Sequence, residues 1–175
     1  MQIRRAIAGD ADRCSRLDGS YQTDYVWHIV EKKVKARTEV VLERTRLPRA
    51  VDVVYPCGLA DLTDECRTSE CFLVADELTQ VMGCLDLRVR RWSLTGWVEY
   101  YVVDRGYRSQ GVGANLLKSA EIWAHSARIK QITIPVQTKN DMAISFCLKQ
   151  GYHFSGYVDR YFSNDDIGRL YSKLV

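Results

Sequence analysis

Residues 98–117 read Val-Glu-Tyr-Tyr-Val-Val-Asp-Arg-Gly-Tyr-Arg-Ser-Gln-Gly-Val-Gly-Ala-Asn-Leu-Leu. β-Branched and aromatic residues run to Val103, and a basic, glycine-punctuated turn spans Arg105 to Gly113. An apolar stripe of helical period follows at once: Val112, Leu116, Ser119, Ala120 and Trp123. A strand that passes through small residues into a helix leaves the first backbone N–H groups of that helix without partners. Together with the positive end of the helix dipole and the charges of Arg105 and Arg108, these donors form a seat for a phosphate. The stretch therefore predicts a strand–turn–helix unit that holds a phosphorylated cofactor.

Around this unit the pattern predicts strands at Gln2–Ile7, Cys71–Asp76, Gln80–Arg90, Trp97–Val103, Ile132–Gln137, Tyr152–Val158 and Arg169–Val175. Helices are expected at Ala11–Leu17, capped by Asp10, at Gly111–Ser126 and at Asp141–Gln150. Tyr25–Val34 and Val40–Arg46 read as a long hairpin around the charged turn Lys35–Glu39. A second hairpin is expected to turn at Glu77-Leu78-Thr79. Pro48 and Pro56 interrupt the chain between the two, and Cys57–Glu70 reads as a loop or a short helix. Strands alternate with helices in the second half, which implies a mixed α/β sheet. No repeat, low-complexity tract or linker divides residues 1–175, so one domain is expected.

Composition narrows the function. A net charge of +3 is too mild to argue for nucleic acid, and basic residues are not interleaved with aromatic ones in the manner of a nucleic-acid surface. No apolar run reaches the roughly 20 residues that span a membrane, and the N-terminus lacks the apolar stretch of an export signal. Cys14, Cys57, Cys66, Cys71, Cys84 and Cys147 include no Cys-x-x-Cys pair, and His28, His125 and His153 are scattered, so no metal site is expected. The cysteines read as reduced thiols of a cytoplasmic protein.

The turn is not a phosphate loop of the Gly-Lys-Ser/Thr type, and it lacks the third glycine of the dinucleotide fingerprint. Arg108-Ser109-Gln110-Gly111-Val112-Gly113-Ala114 instead resembles the Arg/Gln-x-x-Gly-x-Gly/Ala signature of the GNAT acyltransferase superfamily. Val103 to Arg108 looks like that superfamily's usual strand exit. Asn140-Asp141-Met142-Ala143, then Phe146 through Gly151-Tyr152, match its second half at the expected spacing. The resemblance covers roughly residues 72–158. It implies a central, mostly antiparallel mixed sheet with one splayed parallel strand pair, flanked by helices in an α/β (α+β) fold. It also implies acetyl-CoA as co-substrate. Backbone groups of Tyr101, Val102 and Val103 would meet the pantetheine arm and the acetyl carbonyl. Arg108 and the backbone of Ser109, Gln110, Gly111, Val112, Gly113 and Ala114 would hold the pyrophosphate. Asn140 would contact the cofactor or cap the helix that begins at Asp141, and the two are compatible.

Acetyl transfer of this type needs a neutral amine, whereas a lysine-like amine with a pKa of about 10.4 is protonated near neutrality. A general base must take that proton. Glu99 is the leading candidate, because strand alternation groups it with Trp97, Tyr101 and Val103. Asp24 and Asp159 are weaker ones. Cys147 stands where many relatives carry a tyrosine acid. A thiol there could donate a proton, accept the acetyl group, or fill the core with Ala143, Phe146 and Gln150 on one helix face. Tyr152, Tyr157 and Tyr161 are the phenols that could replace the missing one.

Tyr21, Asp24, Tyr25 and Trp27 are expected to shape the acceptor site, where ring faces and carboxylates would receive a cationic amine. Residues 26–50, with seven basic and three acidic side chains, read as a solvated strand face or the edge of a homodimer. Residues 20–27 also resemble streptothricin-type antibiotic acetyltransferases, which implies a polyamine-like or lysine-like small molecule as acceptor. A protein N-terminus or lysine is the alternative acceptor, and an acyl-CoA-binding regulator without turnover is the non-enzymatic alternative.

Overall fold

The computed structural model describes residues 1–56, 62–78 and 80–175. In chain order the elements are β1 (Gln2–Arg5), α1 (Ala11–Ser15), β2 (Tyr21–Val34), β3 (Arg37–Val53), α2 (Leu62–Thr68), β4 (Cys71–Glu77) and β5 (Gln80–Arg90). Then come β6 (Thr95–Val103), α3 (Val112–Ser126), β7 (Gln131–Gln137), α4 (Asp141–Lys149), β8 (His153–Val158) and β9 (Gly168–Leu174). One sheet takes the strands in the order β1-β4-β5-β6-β7-β9-β8, and β2 with β3 forms a separate two-stranded sheet. All pairings in the large sheet are antiparallel except β6–β7.

That exception makes the site. The parallel pairing joins only Thr95–Trp97 to Gln131–Thr133. Beyond it, β6 stays with β5 as far as Val103, while β7 stays with β9 as far as Gln137. A wedge opens between two strands that each keep one paired edge, and the backbone groups on the facing edges have no strand partner. A bulge interrupts β6 in the same region: Asp86 pairs with Tyr100 and Leu87 with Val98, so Glu99 is the extra residue.

The two faces of the sheet carry separate cores. Leu85, Leu87, Val98, Ile132, Ile134 and Tyr171 pack under Leu116 and Leu117 of α3 and Ile144 of α4. Phe72, Val74, Cys84, Tyr100 and Val102 pack under Ala11 and Cys14 of α1 and Leu62 of α2. Each fully buried leucine contributes about 2–3 kcal/mol of transfer free energy, so α3 is held mainly through Leu116 and Leu117. The five described cysteines are free thiols. Among the described residues no helix is long and apolar enough to cross a membrane.

Several local expectations change. The hairpin is longer than its sequence pattern, because Lys35 adopts a left-handed φ of 54° and Lys35-Ala36 suffice for the turn. Arg37 and Glu39 then pair as exposed strand residues, 2.6 Å apart. Pro48 falls in an irregular stretch between Arg46 and Val51, where a missing N–H costs no ladder bond. Asp10 does not cap α1. Its buried carboxylate accepts from Arg4 at 2.7 Å, from the Ile7 backbone N–H at 2.9 Å and from Arg13, and the helix ends early at Ser15. Of the expected loop or helix at Cys57–Glu70, α2 accounts for Leu62–Thr68, and residues 57–61 lie outside the described residues. So does Thr79 of the second hairpin turn.

Candidate active site

A cavity of about 610 Å³ occupies the wedge between β6 and β7. At its β6 exit the chain behaves as the spacing dictates. Ser109 and Gly111 both take left-handed backbone conformations, φ 61° and 83°, and Gly111 starts α3. The first α-helical bond runs from the Asn115 N–H to the Gly111 carbonyl at 3.0 Å, which leaves the N–H groups of Val112, Gly113 and Ala114 without intrahelical acceptors. Gly113 lies in a close approach. Its carbonyl accepts from the Tyr101 hydroxyl at 2.6 Å, and a Cβ there would come within 3.1 Å of the same oxygen.

Of the residues expected to hold the cofactor, Tyr101, Val102, Val103, Arg108, Ser109, Gly111, Gly113, Ala114 and Asn140 line this cavity. Gln110 does not: its amide donates outward to the Gly106 carbonyl at 3.0 Å. The Val112 side chain turns into the core, leaving only its backbone at the seat. Arg108 is committed to structure, donating to the Val103 and Asp18 carbonyls at 3.1 Å each. Asn140 caps α4, its side-chain oxygen accepting from the Ala143 N–H at 3.0 Å.

Further along β6, Glu99 lines the same cavity. The bulge overturns the simple alternation: Val98, Tyr101 and Val103 all pack toward α3, three residues and then two apart, and Glu99 is no longer grouped with Tyr101 and Val103. Desolvation by the surrounding protein raises its carboxyl above the ordinary glutamate range, and the guanidinium groups of Arg90 and Arg88 hold that rise back. Among the described residues the only other carboxylate on the cavity wall is Asp141, and it is committed. It accepts two bonds from Arg44 at 2.9 and 2.8 Å and one from the Trp27 indole at 2.9 Å.

Cys147 touches the cavity but belongs to the core, 1% exposed, with burial pushing its thiol up to about 12. Such a thiol is a poor nucleophile, because the thiolate fraction at neutral pH is minute. Tyr152 lies elsewhere: its ring is fully buried and its hydroxyl donates to Glu121 at 3.1 Å. Tyr157 is bonded to Glu31 on the surface. Tyr161 is the downstream phenol that reaches the cavity wall.

Among the expected acceptor residues only Tyr21 lines the cavity, its buried hydroxyl donating to Gln137 at 2.9 Å. Tyr25 lies under the Arg44 guanidinium, 3.5 Å from its carbon. Trp27 docks the hairpin on α4 and stacks on Arg169 at 4.4 Å. Asp24 is exposed beside the irregularity in the hairpin. The aromatic cluster of β2 is thus spent mainly on packing. Tyr55, Gln137 and Phe162 line the cavity as well. They come from three separated segments, and no motif marks them.

A family model for the acetyltransferase (GNAT) family matches residues 41–152. Among solved structures, nourseothricin acetyltransferase is similar at 20% identity and a TM-score of 0.82, over 99% of this chain and 97% of that one. A candidate streptothricin acetyltransferase from Bacillus anthracis str. Ames, in complex with acetyl coenzyme A, is similar at 22% identity and a TM-score of 0.77, over 99% of both chains. Ard1 from Thermoplasma volcanium is similar at 19% identity and a TM-score of 0.71, over 99% of this chain and 97% of that one. At these identities the structural likeness is one of fold. Among curated proteins no match is found.

Proposed function

The chain belongs to the GNAT acetyltransferase family, and from that premise we propose that it moves an acetyl group from acetyl-CoA to the primary amine of a small cationic acceptor. The observation that carries the reading is the continuity of one cavity, which joins the unpaired N–H groups at the start of α3 to the uncommitted carboxylate of Glu99. The N–H groups of Val112, Gly113 and Ala114 would hold the pyrophosphate, and the β6 edge left unpaired beyond Trp97 would receive the pantetheine arm. The fit is supported by Ser109, Gly111, Gly113 and Ala114, which line the cavity beside these donors.

Glu99 acts as the base. It takes a proton from the acceptor's ammonium, directly or through a water. The neutral nitrogen then attacks the thioester carbonyl, the C–N bond forms, the C–S bond breaks, and the departing CoA thiolate takes up the proton that the acylated nitrogen releases. Donors on the free β6 edge stabilise the charge that develops on the carbonyl oxygen. The rings of Tyr21, Tyr55, Tyr161 and Phe162 line the same cavity, with Tyr161 bonded to Trp97 two residues from Glu99 on β6, and such rings suit a cation. The Ser163 hydroxyl donates to the Pro56 carbonyl at 2.5 Å, which ties together the two segments that carry Phe162 and Tyr55. The buried Cys147 favours direct attack over an acetyl-cysteine intermediate.

Release of CoA from acetyl-CoA, followed across polyamines, aminoglycoside-like antibiotics, streptothricin-type antibiotics and peptides, tests the proposal. Turnover with a small di- or polyamine is the expected result. Turnover with peptides alone replaces the acceptor, and saturable acetyl-CoA binding without amine-dependent release makes the chain a binding protein.

A further inference from the structure

We infer that Trp97, which does not itself line the cavity, is a positioning residue for the acceptor: it locks the Tyr161 phenol against the acceptor end of the site. The inference rests on the acetyl transfer proposed above. Trp97 is buried on β6 two residues before the bulge, and its indole Nε1–H donates to the Tyr161 hydroxyl at 2.8 Å. A buried indole N–H left without an acceptor is costly, so this bond fixes the rotamer of whatever side chain supplies the oxygen. Here that side chain stands on the cavity wall.

Other contacts leave Tyr161 little room to move. Its backbone N–H donates to the Asp166 carbonyl at 3.0 Å. Its ring lies on Gly168, where a Cβ would come within 2.7 Å of Cγ. The Phe162 ring stands nearly perpendicular to it, at 4.9 Å between centroids. The Asp166 carboxylate in turn accepts from Gln137 and from Lys139, the latter at 2.9 Å. Residues 159–167 form neither helix nor strand, so side-chain anchors, not a backbone ladder, decide where this phenol sits. On its other side the indole carries the Arg90 guanidinium over its face at 3.7 Å. Arg90 is also the cation that most restrains the Glu99 carboxyl. Trp97 therefore touches both a cation that faces the base and the ring that walls the acceptor. A wall fixed beforehand removes an ordering cost from acceptor binding.

The test compares steady-state kinetics of wild type, Trp97→Phe, Tyr161→Phe and the double variant, with the best amine of the panel. Trp97→Phe keeps a ring under Arg90 and removes the N–H together with part of the buried bicycle; Tyr161→Phe removes the hydroxyl alone. We expect it to raise the KM for the amine by about five-fold, the equivalent of one neutral hydrogen bond, with the KM for acetyl-CoA unchanged. The double variant should be no worse than the more impaired single one, because both remove the same bond. Gly168→Ala, which pushes on the Tyr161 ring from the opposite side, should raise the same KM and serves if Trp97→Phe does not fold. An unchanged amine KM in a folded variant, an equal rise in both KM values, or single effects that multiply would overturn the inference while leaving acetyl transfer standing. A wild-type chain that binds acetyl-CoA and acetylates no amine overturns the proposed function, and this inference with it.

Discussion

Glu99 is an extra residue in β6, and that displacement puts a carboxylate on the cavity wall without giving it an ion-pair partner in hydrogen-bonding range. A base works only when ionised. Glu99 keeps an exposed edge, but desolvation by the atoms around it still raises this carboxyl, so activity should climb with pH through a midpoint above the ordinary glutamate value of 4.5. In Glu99→Gln the acid limb of the kcat/KM profile should vanish and kcat should fall about 100-fold or more; an intact limb would assign the base elsewhere. Asp86, one strand away and buried, is pushed up to about 6 by desolvation and by the charges of Glu99 and Glu70, against the Ser69 hydroxyl that bonds it. Its folded value lies above the unfolded 3.8, so its proton-bound form favours the fold. That contribution is complete below about pH 3.8 and is lost as pH rises through about 6, a change of about 3 kcal/mol at most. Urea unfolding between pH 4 and 7.5 should show this slope in wild type and a flatter one in Asp86→Asn; parallel curves would contradict it.

At the scale of elements, the hairpin of β2 and β3 is the part least able to stand alone, since two strands without a packed face are marginal in water. It is tied down through Trp27. The backbone N–H of that residue donates to the Thr138 carbonyl at 2.9 Å, its indole to Asp141 at the start of α4, and its ring covers Arg169. Trp27→Ala should cost about 2–3 kcal/mol from lost packing and a lost charge-assisted bond. Amide exchange should accelerate through residues 21–53 while β5 and β6 keep their protection; uniform acceleration would show that the hairpin is not a separate unit. The alternation of β2 and β3 was legible because exposed strands still carry β-branched residues. The docking role of Trp27 was not, because one aromatic pattern serves equally for a ligand wall and for a contact with a helix.

For the whole molecule, the wedge predicts that acetyl-CoA binds the folded chain and not the unfolded one. Ligand at about 100 times its Kd should stabilise the fold by about 2.7 kcal/mol. For a chain of 175 residues that corresponds to a rise in Tm of about 5–10 °C. Thermal melts with and without acetyl-CoA check this, and Gly111→Asp should abolish the rise, because a charged side chain at a left-handed position adjoins the phosphate seat. A rise that survives this substitution would place the ligand elsewhere.

By itself the sequence determined the strand–turn–helix seat, because Gly111, Gly113 and the apolar stripe of α3 act through neighbours a few residues away. It also determined the order of most strands and helices, whose periods are local properties. Only the tertiary structure decided that β6 parts from β7 after three paired residues, that a bulge redirects Glu99, and that Tyr21, Tyr55, Tyr161 and Phe162 line one cavity. Those outcomes depend on which strand edges are already paired and which side chains fill the two cores. Packing of that kind between segments far apart in the chain leaves no spacing to read.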